Sequence, residues 1–178
     1  MKLTPSMQNF ILHWGEMGSK WGVNRSVAQI HALLHIALDP MTADEICEVL
    51  NLARSNVSNG LKELQSQGLV KSSRQLGDRR DHFTSIRDMF DLVDAVIAAR
   101  REREFAPTLR ALDEVMREAE QDNTPKRIKE RMGETLRVMQ MFDDWYVEIS
   151  RLPRSVHLMV LKMGAKLTRF LPGGKSSE

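Results

Sequence analysis

Apolar positions in 4–18 recur as Phe10, Ile11, Trp14 and Met17, close to the helical period, and Gly18 offers a stop. A second stripe, Val27, Ile30, Leu33, Leu34 and Ala37, follows Asn24, a residue suited to capping, and ends at Asp39-Pro40. Thr42 and Glu45 then stand three apart before Ile46. That is the capping-box spacing, in which Thr accepts from a free backbone N–H while Glu reaches back to the cap. With Val49 and Leu50 it predicts a short third helix over about 43–50. A tight link at 51–53 leads to a fourth helix with Val57, Gly60, Leu61 and Leu64 on one face, and Gly68 ends it.

At Leu69 the periodicity changes. Two short extended stretches, 69–76 and 82–86, flank Gly77 and Asp78 and predict a β-hairpin. From Arg87 the helical pattern returns through Phe90, Val93 and Ile97, then Leu109, Leu112, Val115 and Met116, with Pro107 expected to kink or interrupt it. A helix restarts near Pro125, carries Ile128, Met132, Leu136, Met139, Phe142, Trp145 and Ile149, and ends at Pro153. A last helix is expected over about 154–170. The expected organisation is residues 1–86 as one domain, 87–171 as a region of long helices, and 172–178, rich in Gly and Ser, as a disordered tail. The fold class is mainly α with a small β-hairpin wing: a winged helix-turn-helix plus long helices suited to dimerisation.

Composition narrows the partners. Among 178 residues, 42% are hydrophobic and 28% charged, values of a folded globular chain. The lone cysteine, Cys47, excludes an internal disulfide and reads as a small buried residue of a cytoplasmic protein. No apolar run approaches the ~18 residues of a membrane span, and the N-terminus lacks a signal-peptide core, so no membrane partner is expected. The 26 basic and 24 acidic residues nearly cancel in bulk, but not by segment. Residues 1–52 carry a net −2, 53–86 a net +3, 87–122 a net −4, and the remainder a net +5. A basic island thus coincides with the fourth helix and the hairpin.

That coincidence carries chemistry. Burying Val57, Gly60, Leu61 and Leu64 turns Ser55, Asn56, Ser58, Asn59 and Lys62 outward, with Arg54 at the helix start. Asn pairs with adenine in a bidentate way, Ser plays either role, and Arg and Lys reach guanine edges or phosphates, so this face suits a major groove. Arg79 and Arg80 at the hairpin turn suit a minor groove or its phosphates. Gly60, lacking a side chain, allows a close helix approach.

The run Ile46, Leu50, Leu52, Arg54-Ser55, Val57-Ser58, Gly60-Leu61, Leu64, Gly68-Leu69-Val70, followed by Gly77-Asp78-Arg79-Arg80, resembles the MarR superfamily of bacterial transcription regulators. Trp14-Gly15, Trp21-Gly22, Arg25 and Asp39-Pro40 resemble its GbsR-like branch. The resemblance covers residues 10–86 well. It implies a homodimer built by the first and last helices, double-stranded DNA as partner, a fourth helix in the major groove and a wing at the minor groove. Carried over, these roles fall on Arg54, Ser55, Asn56, Ser58, Asn59 and Lys62, and on Arg74, Arg79, Arg80 and His82. Ala53 stands where the family often has Ser, which leaves the N-cap of the fourth helix unprovided or shifted to Ser55.

Other features are read beside their plainer alternatives. Trp14, Trp21, Trp145 and Tyr146 are candidates for a cation–π cage around a small-molecule effector, as control of some relatives by osmoprotectant precursors suggests; core packing is the simpler assignment. His31 and His35 have metal-ligand spacing but no third ligand nearby, so neither a metal site nor any other cofactor is expected. No nucleophile motif, phosphate loop or paired-carboxylate set points to an enzyme. The resulting reading is a DNA-binding regulator, a repressor released by an effector; the alternative is a winged-helix protein-interaction module without specific DNA binding.

Overall fold

The computed structural model describes residues 1–153, 155–157, 159–160 and 163. Helix α1 (Pro5–Lys20) starts on Thr4, whose side chain accepts from Met7 N–H, with Pro5 in the first turn. Helix α2 (Arg25–Ile36) is capped by Asn24, which accepts from Ser26 N–H at 2.9 Å. Strand β1 (Met41–Thr42) passes directly into α3 (Ala43–Leu50), and the Thr42/Glu45 capping box is complete. Glu45 Oε2 accepts from Thr42 N–H at 2.7 Å and Thr42 Oγ1 accepts from Glu45 N–H at 3.3 Å. The Thr42 backbone N–H, then its hydroxyl, hold the Glu45 carboxyl below its ordinary pKa.

Helix α4 (Arg54–Ser66) is followed by β2 (Val70–Arg74) and β3 (Asp81–Ser85). These form one antiparallel sheet in the order β1-β3-β2, registered by Met41 opposite Phe83 and by Ser72 opposite Phe83 on the other side. The two-residue β1 was not expected. It carries no alternation to read, and only pairing with β3 makes it a strand.

Helix α5 (Met89–Arg100) follows, then a wider π-type turn (Arg101–Phe105), α6 (Ala106–Gln121) and α7 (Lys126–Ser150). The expected interruption at Pro107 is present, placed just before it. Proline has no N–H to give and its ring crowds the carbonyl four residues back, so the chain widens over the preceding turn and starts α6 afresh. Residues 155–157, 159–160 and 163 are helical; the rest of the expected 154–170 helix and the whole 172–178 tail lie outside the described residues.

The chain packs as two units, Met1–Arg103 and Glu104–Glu178. The change of pattern at 86/87 therefore does not coincide with the packing boundary: α5 sits with the first unit, where its Leu92 joins the core. That core gathers Ile11, Ile30, Leu33, Ile46, Val57, Leu61, Leu64 and Phe83, each fully buried aliphatic or aromatic side chain contributing about 1.5–3 kcal/mol. Gly18, expected as a helix stop, lies inside α1 instead. A Cβ there would meet the Cβ of Ala28 at 2.6 Å, so the glycine serves the close crossing of α1 and α2. Gly60 does the same for α4, where a Cβ would meet Ile30 Cδ1 at 2.7 Å.

Candidate nucleic-acid interface

Helix α4 is entered through a tight turn. Asn51, left-handed at φ 51°, closes α3, and Leu52 N–H donates to Cys47 O at 3.1 Å. The N-cap is Ala53, with no side-chain hydrogen bond, so the first of the two alternatives for this cap is the one adopted. Val57, Gly60, Leu61 and Leu64 are buried, as the stripe predicts. Arg54, Ser55, Asn56, Asn59 and Lys62 are exposed, while Ser58 is half-buried. Arg54 pairs with Asp44 of α3; both side chains are mostly exposed, so the pair orients more than it stabilises. Gln65 Nε2 donates to Ser72 Oγ at 3.1 Å, tying α4 to β2.

At the wing, Asp78 N–H donates to Gln75 O at 3.1 Å across a turn in which Gly77 has φ 85°. Asp78 then clamps Arg80, accepting from its backbone N–H at 2.9 Å, from Nε at 3.0 Å and from Nη2 at 2.6 Å. The Arg80 guanidinium, followed by its backbone N–H, keeps the Asp78 carboxyl far below the usual carboxylate range. Arg74 pairs with Asp81 at 3.4 Å and remains largely exposed. Arg79 is exposed and has no ion-pair partner among the described residues. The three wing arginines are thus unequal: one clamped, one loosely paired, one open.

His82 departs from its expected place. It is only 6% exposed, Nδ1 lies 3.1 Å from Arg80 O and Nε2 lies 3.6 Å from Asp78 Oδ2. It lies against the Asp78–Arg80 clamp, and the next residue, Phe83, is buried as well, so no in–out alternation marks it. It positions the wing from behind instead of facing outward. Two residues the pattern did not single out stand on this surface, Gln65 and the fully open Leu76. Neither belongs to a stripe or a charge run, so only the folded surface reveals them.

Residues 21–81 match the model of the MarR family. The HTH-type transcriptional repressor GbsR of Bacillus subtilis (strain 168) is 28% identical over 160 residues, spanning 85% of this chain and 83% of GbsR. A crystal structure of a transcriptional regulator shares the fold with a TM-score of 0.68 at 16% identity, over 81% of this chain and 95% of that one. The MarR-family match runs from the α1–α2 turn to the first residue of β3, so it takes in α4 and the wing turn together.

Behind this surface, α2 is fastened to the base of the wing. His31 Nε2 and Ser85 Oγ share a hydrogen bond of 3.0 Å, and His35 Nδ1 donates to Ile86 O at 3.1 Å. Burial, then the neighbouring His35, lower the His31 pKa to about 4. Trp14 is committed to this cluster, its ring 5.4 Å from Phe10, 6.1 Å from His31 and 6.3 Å from His35. Trp21, at the end of α1, is 60% exposed and makes no ring contact with Trp14. Trp145 on α7 is exposed and Tyr146 half-buried. Among the described residues no group of three His, Cys, Asp or Glu is placed to hold a metal, and no helix is long and apolar enough to cross a membrane.

Proposed function

We propose that this protein is a MarR-family regulator: a homodimeric, sequence-specific DNA-binding repressor of transcription, working in the cytoplasm and released from its operator by a small molecule. The observation that carries the reading is the exposed α4 face, Arg54, Ser55, Asn56, Asn59 and Lys62, standing on the same unit as the open Arg79 of the wing. Asn56 and Asn59 suit adenine edges, Arg54 and Lys62 guanine edges or phosphates, and Arg79 the minor groove. Ser55 and Ser58 add short hydroxyls, the second from a half-buried position. Arg74 lends charge from the edge strand, while Arg80 and His82 hold the turn in shape.

A homodimer is supported by the apolar residues that α6 and α7 leave open, Val115, Ile128, Val138, Met141, Phe142 and Trp145. Two copies place two α4 helices about one DNA turn, ~34 Å, apart on a near-palindromic site. Repression is supported by the 28% identity to a protein named a transcriptional repressor. Release by an effector is supported, each unit taken by itself, by an open indole, Trp21 in the first and Trp145 in the second, whose face suits a quaternary ammonium group; Trp14, packed in its ring stack, and the half-buried Tyr146 are less accessible.

Selection of duplexes from random sequence by the purified protein tests the reading. A palindromic consensus bound with steep salt dependence is the expected result. Flat, sequence-independent binding overturns it and leaves the protein-interaction module. A solution mass near the 20.4 kDa of one chain at binding concentrations removes the dimer.

A further inference from the structure

The tip of the wing carries a side chain for which the fold has no use. Leu76 is 108% exposed, open on every side. It holds the first central position of the turn closed by Asp78 N–H and Gln75 O. Such a turn requires a positive φ at its second central position, which Gly77 supplies, and it does not call for a branched apolar residue at the first. A leucine hydrated in both folded and unfolded chains gains nothing on folding.

Its surroundings are cationic. Arg74, two residues before it, has a side chain 80% exposed, and Arg79, three residues after it, is exposed and open. The edge strand leading to the tip turns Lys71, Ser72, Ser73 and Arg74 all to solvent. An apolar point flanked by guanidinium groups matches the chemistry of a DNA minor groove. Phosphates line its rims, a narrow A·T groove draws arginine by its negative potential, and leucine is among the side chains that proteins press into it.

We propose that Leu76 is an apolar minor-groove contact of the wing, seated between Arg74 and Arg79 and contributing affinity that does not depend on salt. The inference rests on the DNA-binding reading above. Duplexes selected by the wild-type protein are titrated with wild type, Leu76→Ala, Leu76→Met and Arg79→Ala across a salt series. Leu76→Ala is expected to bind about tenfold more weakly, with the slope of log K against log salt unchanged. Leu76→Met stays within about twofold of wild type, and Arg79→Ala lowers the slope by about one. The thermal midpoint of Leu76→Ala matches wild type, which separates contact from folding.

The groove itself is tested with duplexes whose flanking G·C pairs are replaced by inosine·C, a change that removes only the minor-groove amino group. Wild type is expected to tighten more than Leu76→Ala. Equal responses place the leucine outside the minor groove and overturn the proposal. Wild-type affinity in Leu76→Ala overturns it too, while the DNA reading survives. A wild-type protein that selects no duplex overturns both.

Discussion

The first unit buries Ile30, Leu33, Ile46 and Val57 almost completely, whereas in the second unit Ala119 and Leu136 are the only buried hydrophobics among the described residues. Both units are built on amphipathic helices, so the difference lies in number and arrangement. Five helices and a three-stranded sheet close around a common centre. Two helices, α6 and α7, have one face for each other and leave another open, because a pair cannot enclose a core. The first unit carries its own stability; the second, with Phe142, Trp145 and Met141 more than half exposed, is completed by a partner in the proposed dimer.

The largest expected effect follows from separating the two. Residues 1–103 alone should remain helical and unfold cooperatively, while 104–178 alone should be largely unfolded as a monomer; circular dichroism of each piece decides it. A second piece that folds as a monomer would break the contrast. Next, Leu33→Ala should cost about 2–5 kcal/mol in urea unfolding by leaving a cavity in the closed core. Phe142→Asp should instead leave the first unit's stability nearly intact and reduce the solution mass toward one chain, measured by light scattering.

A pH-dependent contribution is expected within the first unit. The folded pKa of His31 is lowered from 6.5 to about 4, so between these values the unfolded chain binds more protons than the folded one. Stability is therefore complete above about pH 6.5 and declines as the pH falls toward 4, by about 3 kcal/mol in all. Urea unfolding at pH 7 and pH 4.5 measures it, and His31→Gln, which keeps a hydrogen-bonding group beside Ser85 but does not titrate, should flatten the window. The smallest effect is Gly18→Ala. The new methyl gains ~1 kcal/mol of helix propensity but meets the Ala28 Cβ at 2.6 Å, so a net loss of about 1–2 kcal/mol in thermal unfolding is expected.

Local signals were legible in the chain. The Thr42/Glu45 box and the Asn24 cap are short-range hydrogen bonds whose partners lie within three residues, and both form. The buried face of α4 follows from its period alone. The stop assigned to Gly18 failed because a glycine that ends a helix and one that lets two helices touch look alike until the second helix is in place. His82 was grouped with the outward cations by its neighbours, but β3 lies between β1 and β2 and buries both His82 and Phe83, on opposite faces, so no alternation in the sequence marks His82 as inward.

By itself, then, the sequence determined the order of helices, the hairpin and the basic face, because each depends on contacts between near neighbours. Tertiary structure alone decided that α5 belongs with the first unit, that Asp78 clamps Arg80 while Arg79 stays open, and that burial, with His35 beside it, lowers the proton affinity of His31. Those outcomes depend on distances between residues far apart in the chain or across a turn, and no periodicity records such distances.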